Sequence, residues 1–136
     1  MTPDDLLREF MLALCCYREA RGESPLGKAL VCQTILNRTR DLKKRWPRTI
    51  QGVVCQPLQF SSFNRNDPNV TVYPTEGEPA WIECVGASQR ALAADPPLTT
   101  ANHYLTTSLF KSKLKPLWAD PSKVLITEGH HVFLEL

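Results

Sequence analysis

At Asp95-Pro96-Pro97 the periodicity of this chain changes, and that change limits the folds open to it. Before it, apolar residues recur at helical spacing. After it, "TTANHYLTT", "KVLIT" and "HHVFLEL" are short, β-branched and aromatic, the pattern of strands or extended loops. A chain of 136 residues divided in this way is expected to form one α+β domain over residues 1–136, mostly helical, with a small sheet from its last third.

The helical part carries its own punctuation. Thr2 can cap a helix with Pro3 at its first position and Asp4 and Asp5 in the first turn, where the helix dipole favours anions. Leu6, Leu7, Phe10, Met11, Leu14 and Cys15 then repeat at helical spacing, to about Ala20, with a break near Gly22. Ser24 and Pro25 repeat the cap signature at once and open a second helix through roughly Arg40. Its apolar positions include Leu26, Ala29, Leu30, Ile35 and Leu36. "TIQGVVCQ" reads as a short helical piece, residues 57–79 as a loop rich in Asn, Asp, Pro and Ser. A further amphipathic helix follows from Pro79 to about Ala94, with Trp81, Val85 and Leu92 inward, and "DPP" stops it.

Composition excludes several classes. Apolar residues make up 43% and charged residues 22%, which argues against general disorder. No apolar run reaches the roughly 20 residues needed to cross a bilayer, so no stable membrane insertion is expected. The N-terminus carries two aspartates where a secretory signal would carry lysines, so no signal peptide is expected. Five cysteines without a CxxC argue against a disulfide framework, and Cys15, Cys32 and Cys84 fall inside apolar helical patterns as small hydrophobes. The segment "NRTRDLKKRWPR" concentrates Arg38, Arg40, Lys43, Lys44, Arg45 and Arg48 against one aspartate. It suits phosphate, the carboxylates of a peptide, or plain solvation of a helix end. No RNP-like, finger-like or helix-turn-helix signature accompanies it, so nucleic acid is not the expected partner.

The chemistry concentrates where the first two helices meet, in "CCYREARGESPLGKALVCQTILNR". Glu19, Arg21 and Glu23 stand at the end of an apolar helix. They read either as a solvated terminus with local ion pairs or as the edge of an active site. A carboxyl there, backed by Leu14, Cys15 and Tyr17, would be desolvated and its pKa raised, as a general acid needs. Arg18 would oppose this, although consecutive helical side chains diverge by about 100°. A metal hydrolase could draw on Glu19, Glu23, His103, His130 and His131, but HExxH is absent and the histidines lack ligand spacing. No metal or other cofactor is expected. His130 and His131 read as a consecutive pair at a strand start, one of them facing solvent.

The ordered set "YREARGE", Gly27, "ILNR", Pro47, "GVVCQPLQFS", Trp81, "ANHY" and "GHHVF" resembles the SleB-type cell wall hydrolases. The resemblance covers nearly the whole chain from about Leu6. It implies a fold related to soluble lytic transglycosylases and goose-type lysozymes, peptidoglycan as substrate, and Glu19 as the catalytic acid. Arg18 stands where the family often has a small residue. Gln59, Phe60, Ser61, Asn102, His103 and Tyr104 become the expected substrate-binding residues, with Arg21 and Glu23 in support. Phe60 reads equally as a core anchor, Asn102 as a turn residue and Tyr104 as a core tyrosine. Glu23, Asp67 and Glu76 are the candidates for a second carboxylate, none in an obviously fixed place. A lytic transglycosylase, which needs only one glutamate and leaves a 1,6-anhydro product, is therefore expected over a lysozyme-like hydrolase. A non-catalytic wall-binding module is the rival from another class. The enzyme is expected as a monomer that acts on the wall outside the cytoplasm, in the manner of a phage lysin or a virion-borne or bacterial hydrolase.

Overall fold

The computed structural model describes residues 1–56 and 59–136, apart from the Ser61 side chain. Helix α1 (Pro3–Ala20) opens with a capping box: Thr2 Oγ1 accepts the Asp5 N–H at 3.1 Å, and the Asp5 carboxylate accepts the Thr2 N–H at 2.9 Å. Helix α2 (Pro25–Thr39) is capped by Ser24, whose hydroxyl accepts the Gly27 N–H at 3.0 Å. Helix α3 (Ile50–Val54), 3₁₀ turns at Ser61–Phe63 and Pro68–Thr71, and helix α4 (Pro79–Ala93) complete the helical part. The segment read as a loop thus contains two local turns.

Helix α2 is the centre of the packing, set against α1, α3 and α4 and buried nearly all round. Its polar residues are therefore enclosed, and each is partnered, as burial demands. Lys28 pairs with Glu83. Gln33 donates to Asn37 Oδ1 at 3.0 Å and accepts the Leu98 N–H at 3.1 Å. Arg38 donates from Nε to the Asn102 carbonyl at 2.7 Å.

Two details depart from the apolar pattern. Leu6, Leu7 and Phe10 are exposed, and the buried stretch of α1 starts at Leu12, where its neighbours begin to cover it. On α4 the most enclosed positions are Cys84, Ala87, Ser88 and Ala91. Trp81 and Leu92 pack at the margin of the core, and Val85 is half-buried. A helix lying against two others carries small side chains along its most enclosed line, and hydrophobicity alone does not mark that line. Cys15, Cys16, Cys32 and Cys84 are buried free thiols, whereas Cys55 is exposed.

The last third forms a three-stranded antiparallel sheet from β1 (His103–Thr106), β2 (Val124–Glu128) and β3 (His131–Leu134), in the order β1-β3-β2. The strand last in sequence is central and buried at all four residues, which is why "HVFL" lacks alternation. Helix α5 (Thr107–Phe110) follows β1 directly, so the extended reading of "TTANHYLTT" ends at Thr106. Phe133 joins the sheet to the helical core, which also holds Phe60. A smaller cluster of Leu105, Ala119, Val132 and Leu134 also forms within this last third. Among the described residues no helix is long and apolar enough to cross a membrane.

Candidate active site

The turn between α1 and α2 and the turn between β2 and β3 meet at an open cleft of about 420 Å³, lined by Glu19, Arg21, Glu23, Thr106, His130 and His131 among others. Glu19 comes from the last turn of α1, with Cys15 one turn behind it. Ser62 Oγ donates to Glu19 Oε1 at 3.0 Å. Burial pushes the Glu19 carboxyl above the ordinary glutamate range. Hydrogen bonding from Ser62 pulls it back, and the charge of Asp67 adds to the rise. The result is a half-buried carboxyl that lines the cleft and whose ionisation is disfavoured.

Arg18 does not counter this from the neighbouring position. Its Nε donates to the Val72 carbonyl at 3.0 Å, Nη2 to Val70 at 2.8 Å and Nη1 to Ser62 at 3.3 Å. The guanidinium lies 4.6 Å from the Phe63 ring and 5.0 Å from the Tyr73 ring. The divergence of adjacent helical side chains thus sends Arg18 into the 62–73 loop and Glu19 into the cleft.

Glu23 is fixed rather than free. Its side chain is only 7% exposed. Oε1 accepts the His130 N–H at 2.8 Å, Oε2 lies 2.9 Å from His130 Nδ1, and His131 Nδ1 lies 3.0 Å from Oε1. Burial disfavours its charge, but the His130 hydrogen bonds and the two imidazoles outweigh this and hold its pKa below the ordinary value. His130 is solvent-exposed and His131 buried, so the pair splits as a strand start requires, yet both serve Glu23. Gly129 makes this possible: its φ is +56°, and a Cβ there would lie 3.1 Å from Glu23 Oε1. Arg21 is exposed, donates to the Tyr17 carbonyl at 3.1 Å and stacks 5.0 Å over the Tyr17 ring.

The remaining expected residues divide. Tyr104 lies near Glu19, whose charge together with burial raises its phenol pKa, and it packs against Phe60, His131 and Phe133. Phe60 is 4% exposed and belongs to the core. Gln59 is exposed and accepts from Arg38 Nη1 at 3.3 Å. The Ser61 side chain lies outside the described residues. Asn102 is buried and joined to the backbone of Leu136 by both ends of its amide, at 2.9 Å each. His103 Nδ1 lies 2.8 Å from Asn102 Oδ1, between the rings of Trp46 and Trp118. Because the Asn102 oxygen is an acceptor there, that nitrogen carries the proton. Burial and the charges of Arg38 and Arg45 lower the His103 pKa to about 4, so the ring is neutral at pH 7. Neither Asn102 nor His103 lines the Glu19 cleft.

Sequence reasoning missed Ser62, the residue that touches the carboxyl. Nothing in "FSSF" distinguishes its two serines until the 3₁₀ turn at Ser61–Phe63 buries the second. The Glu23 pairing was also missed, although the spacing of "GE" and "GHH" from two tight turns held a hint of it. Among the described residues no group of three or more His, Cys, Asp or Glu is arranged to hold a metal ion.

Comparison with known proteins bears on the family and the fold. A family model described as Cell Wall Hydrolase matches residues 22–134, beginning just past Glu19. The spore cortex-lytic enzyme of Bacillus cereus is 27% identical over 124 residues, which is 90% of this chain but 42% of that protein. The chain therefore spans less than half the length of the curated relatives it matches. The catalytic domain of the germination-specific lytic transglycosylase SleB from Bacillus anthracis superposes with a TM-score of 0.71 at 27% identity, over 99% of this chain and 97% of that one. The catalytic domain of Bacillus cereus SleB gives 0.70 at 27% identity, over 95% and 91%. By the family match over most of its length, this chain belongs to the cell wall hydrolases.

Proposed function

We propose that the chain cleaves the glycan strand of peptidoglycan as a lytic transglycosylase, with Glu19 as both acid and base. The observation that carries this reading is the half-buried Glu19 carboxyl with a raised pKa, held by Ser62 and lining an open cleft. The Ser62 hydroxyl donates to Oε1 and orients the carboxyl. Glu19 gives its proton to the glycosidic oxygen as the bond from the sugar's C1 breaks. The resulting carboxylate takes the proton of the same sugar's C6 hydroxyl, whose oxygen bonds to C1 and closes a 1,6-anhydro ring. The glutamate ends protonated, and no water is consumed.

The other carboxylates favour this route over hydrolysis. Both oxygens of Glu23 are engaged by His130 and His131, and Asp67 Oδ1 accepts the Asn69 N–H at 2.8 Å within its own turn. Glu76 is exposed on the 71–77 segment. Glu23 therefore lacks the free base position that an activated water needs, and neither Asp67 nor Glu76 is among the residues lining the cleft. Tyr104 and the exposed Gln59 are proposed to hold the sugar, with Phe60 and Asn102 supporting from within the fold. The family's wall substrates and the SleB neighbours are consistent with this reading. We extend it to a monomer acting outside the cytoplasm.

Mass spectrometry of the soluble products from purified peptidoglycan tests it. Wild type is expected to release anhydro-muropeptides, and Glu19→Gln to release none. Reducing-end products, one water heavier, would replace transglycosylation with hydrolysis. An active Glu19→Gln variant would overturn the assignment of the acid.

A further inference from the structure

Arg18 is a buried guanidinium that the proposed reaction does not use, one residue from the acid that it does. Its three N–H contacts reach the carbonyls of Ser62, Val70 and Val72, and Phe63 and Tyr73 flank its plane. Phe63 and Val72 of the 62–73 loop also pack against the core, and Ser62 is buried. The loop's internal bonds are short-range turns, such as Phe63 N–H to the Phe60 carbonyl and Val72 N–H to the Asn69 carbonyl. Ser62 is held twice by consecutive residues of α1: Arg18 takes its carbonyl and Glu19 receives its hydroxyl.

We propose that Arg18 is a positioning residue, a fork that fastens the 62–73 loop to α1 so that Ser62 meets Glu19 and the loop excludes water from one side of the carboxyl. This deepens the transglycosylase reading and rests on it. A planar guanidinium suits the task because its donors point in fixed directions to three carbonyls, whereas a lysine ammonium offers one point of attachment. The residue that would be expected to spoil the acid by its charge instead helps to build the enclosure around it.

The test is the pH profile of kcat/KM for Arg18→Lys and Arg18→Ala beside wild type. The groups facing Glu19 are Asp67 from the loop, Tyr104 from β1 and Cys15 on α1, with Arg21, Glu23, His130 and His131 along the same cleft. All of these remain in the variants. Loosening the loop readmits water and moves the Asp67 charge away, both of which lower the carboxyl's pKa, and weakens the Ser62 bond, which raises it. Burial is the largest of these influences, so the alkaline limb should move to lower pH in both variants. Ser62→Ala should move it the other way, because a hydrogen bond to the carboxylate is lost. Amide hydrogen exchange of residues 62–73 should speed up in Arg18→Lys, a readout independent of catalysis that remains available if Arg18→Ala fails to fold. A profile for Arg18→Lys that superimposes on wild type, with unchanged exchange, would overturn the proposal. Loss of activity without any shift of the limb would reduce Arg18 to a general structural role and overturn it equally. Glu19→Gln separates the two levels: if it remains active the transglycosylase reading falls, and if it is inactive while the Arg18 variants titrate like wild type only the fork falls.

Discussion

Gly129→Ala should destabilise the protein through two separable costs. The φ of +56° places residue 129 in the left-handed region, where an L-residue with a side chain loses roughly 1–2 kcal/mol. The new Cβ would also lie 3.1 Å, 3.2 Å and 3.3 Å from Oε1, Oε2 and Cδ of Glu23. That carboxylate cannot retreat without stretching its 2.8 Å bond from the His130 N–H and its 2.9 Å contact with His130 Nδ1. Weakening one such charge-assisted bond costs about 1 kcal/mol. The sum is about 2–3 kcal/mol, equivalent for a chain of this size to a fall of about 7–10 °C in Tm. Urea unfolding and thermal melts followed by circular dichroism measure it. Gly129→Ala introduced beside Glu23→Ala should show only the backbone cost, and Gly129→Asn should sit between, since asparagine tolerates this conformation better. A loss below about 0.5 kcal/mol, or an equal loss with and without Glu23, would refute the packing of this turn.

Two further predictions concern stability. The raised pKa of Glu19 means that the folded state resists its ionisation. The associated stability is fully present below the unfolded pKa and declines as pH rises through the folded value. Glu19→Gln should therefore match or exceed wild type in Tm at pH 7 and lose that advantage near pH 4, as melts across pH will reveal. Lys28 is buried while its partner Glu83 is half exposed, so Glu83→Ala should cost about 1–2 kcal/mol in urea unfolding by stranding the ammonium, whereas Lys28→Met should stay within about 1 kcal/mol.

Much of the architecture could be read from residues 1–40 and 79–136. Thr2-Pro3 and Ser24-Pro25 mark both helix starts because a cap hydroxyl and a proline act within one turn, and that local physics survives folding. The burial of Lys28, Gln33 and Arg38 was not legible, since it follows from α2 being surrounded by other helices and not from its own pattern. From its setting in α1 alone Glu19 read either as a solvated helix end or as the edge of a site, and the resemblance carried by "EARGE" is what selected it. What encloses it could not be found in this way. Ser62 and Asp67 come from more than forty residues away, on an irregular loop whose carbonyls Arg18 binds and whose Phe63 and Val72 pack on the core. The partner of Asn102 was equally out of reach, since the backbone of Leu136, which binds both ends of its amide, lies thirty-four residues away.

The place where α1 stops has an electrostatic consequence. Its last carbonyls, around Tyr17 to Ala20, leave a partial negative pole at the end carrying Glu19. A negative charge on that glutamate is opposed by the helix's own field as well as by burial, a bias that the Arg21 guanidinium on the Tyr17 carbonyl reduces. Gly22 has open space where a Cβ would go, so no clash forbids one more turn of helix. Such a turn would carry the pole past Glu19 and weaken the bias. The short seam between α1 and α2 thus sets the voltage at which the proposed acid works, as well as the direction in which the chain turns.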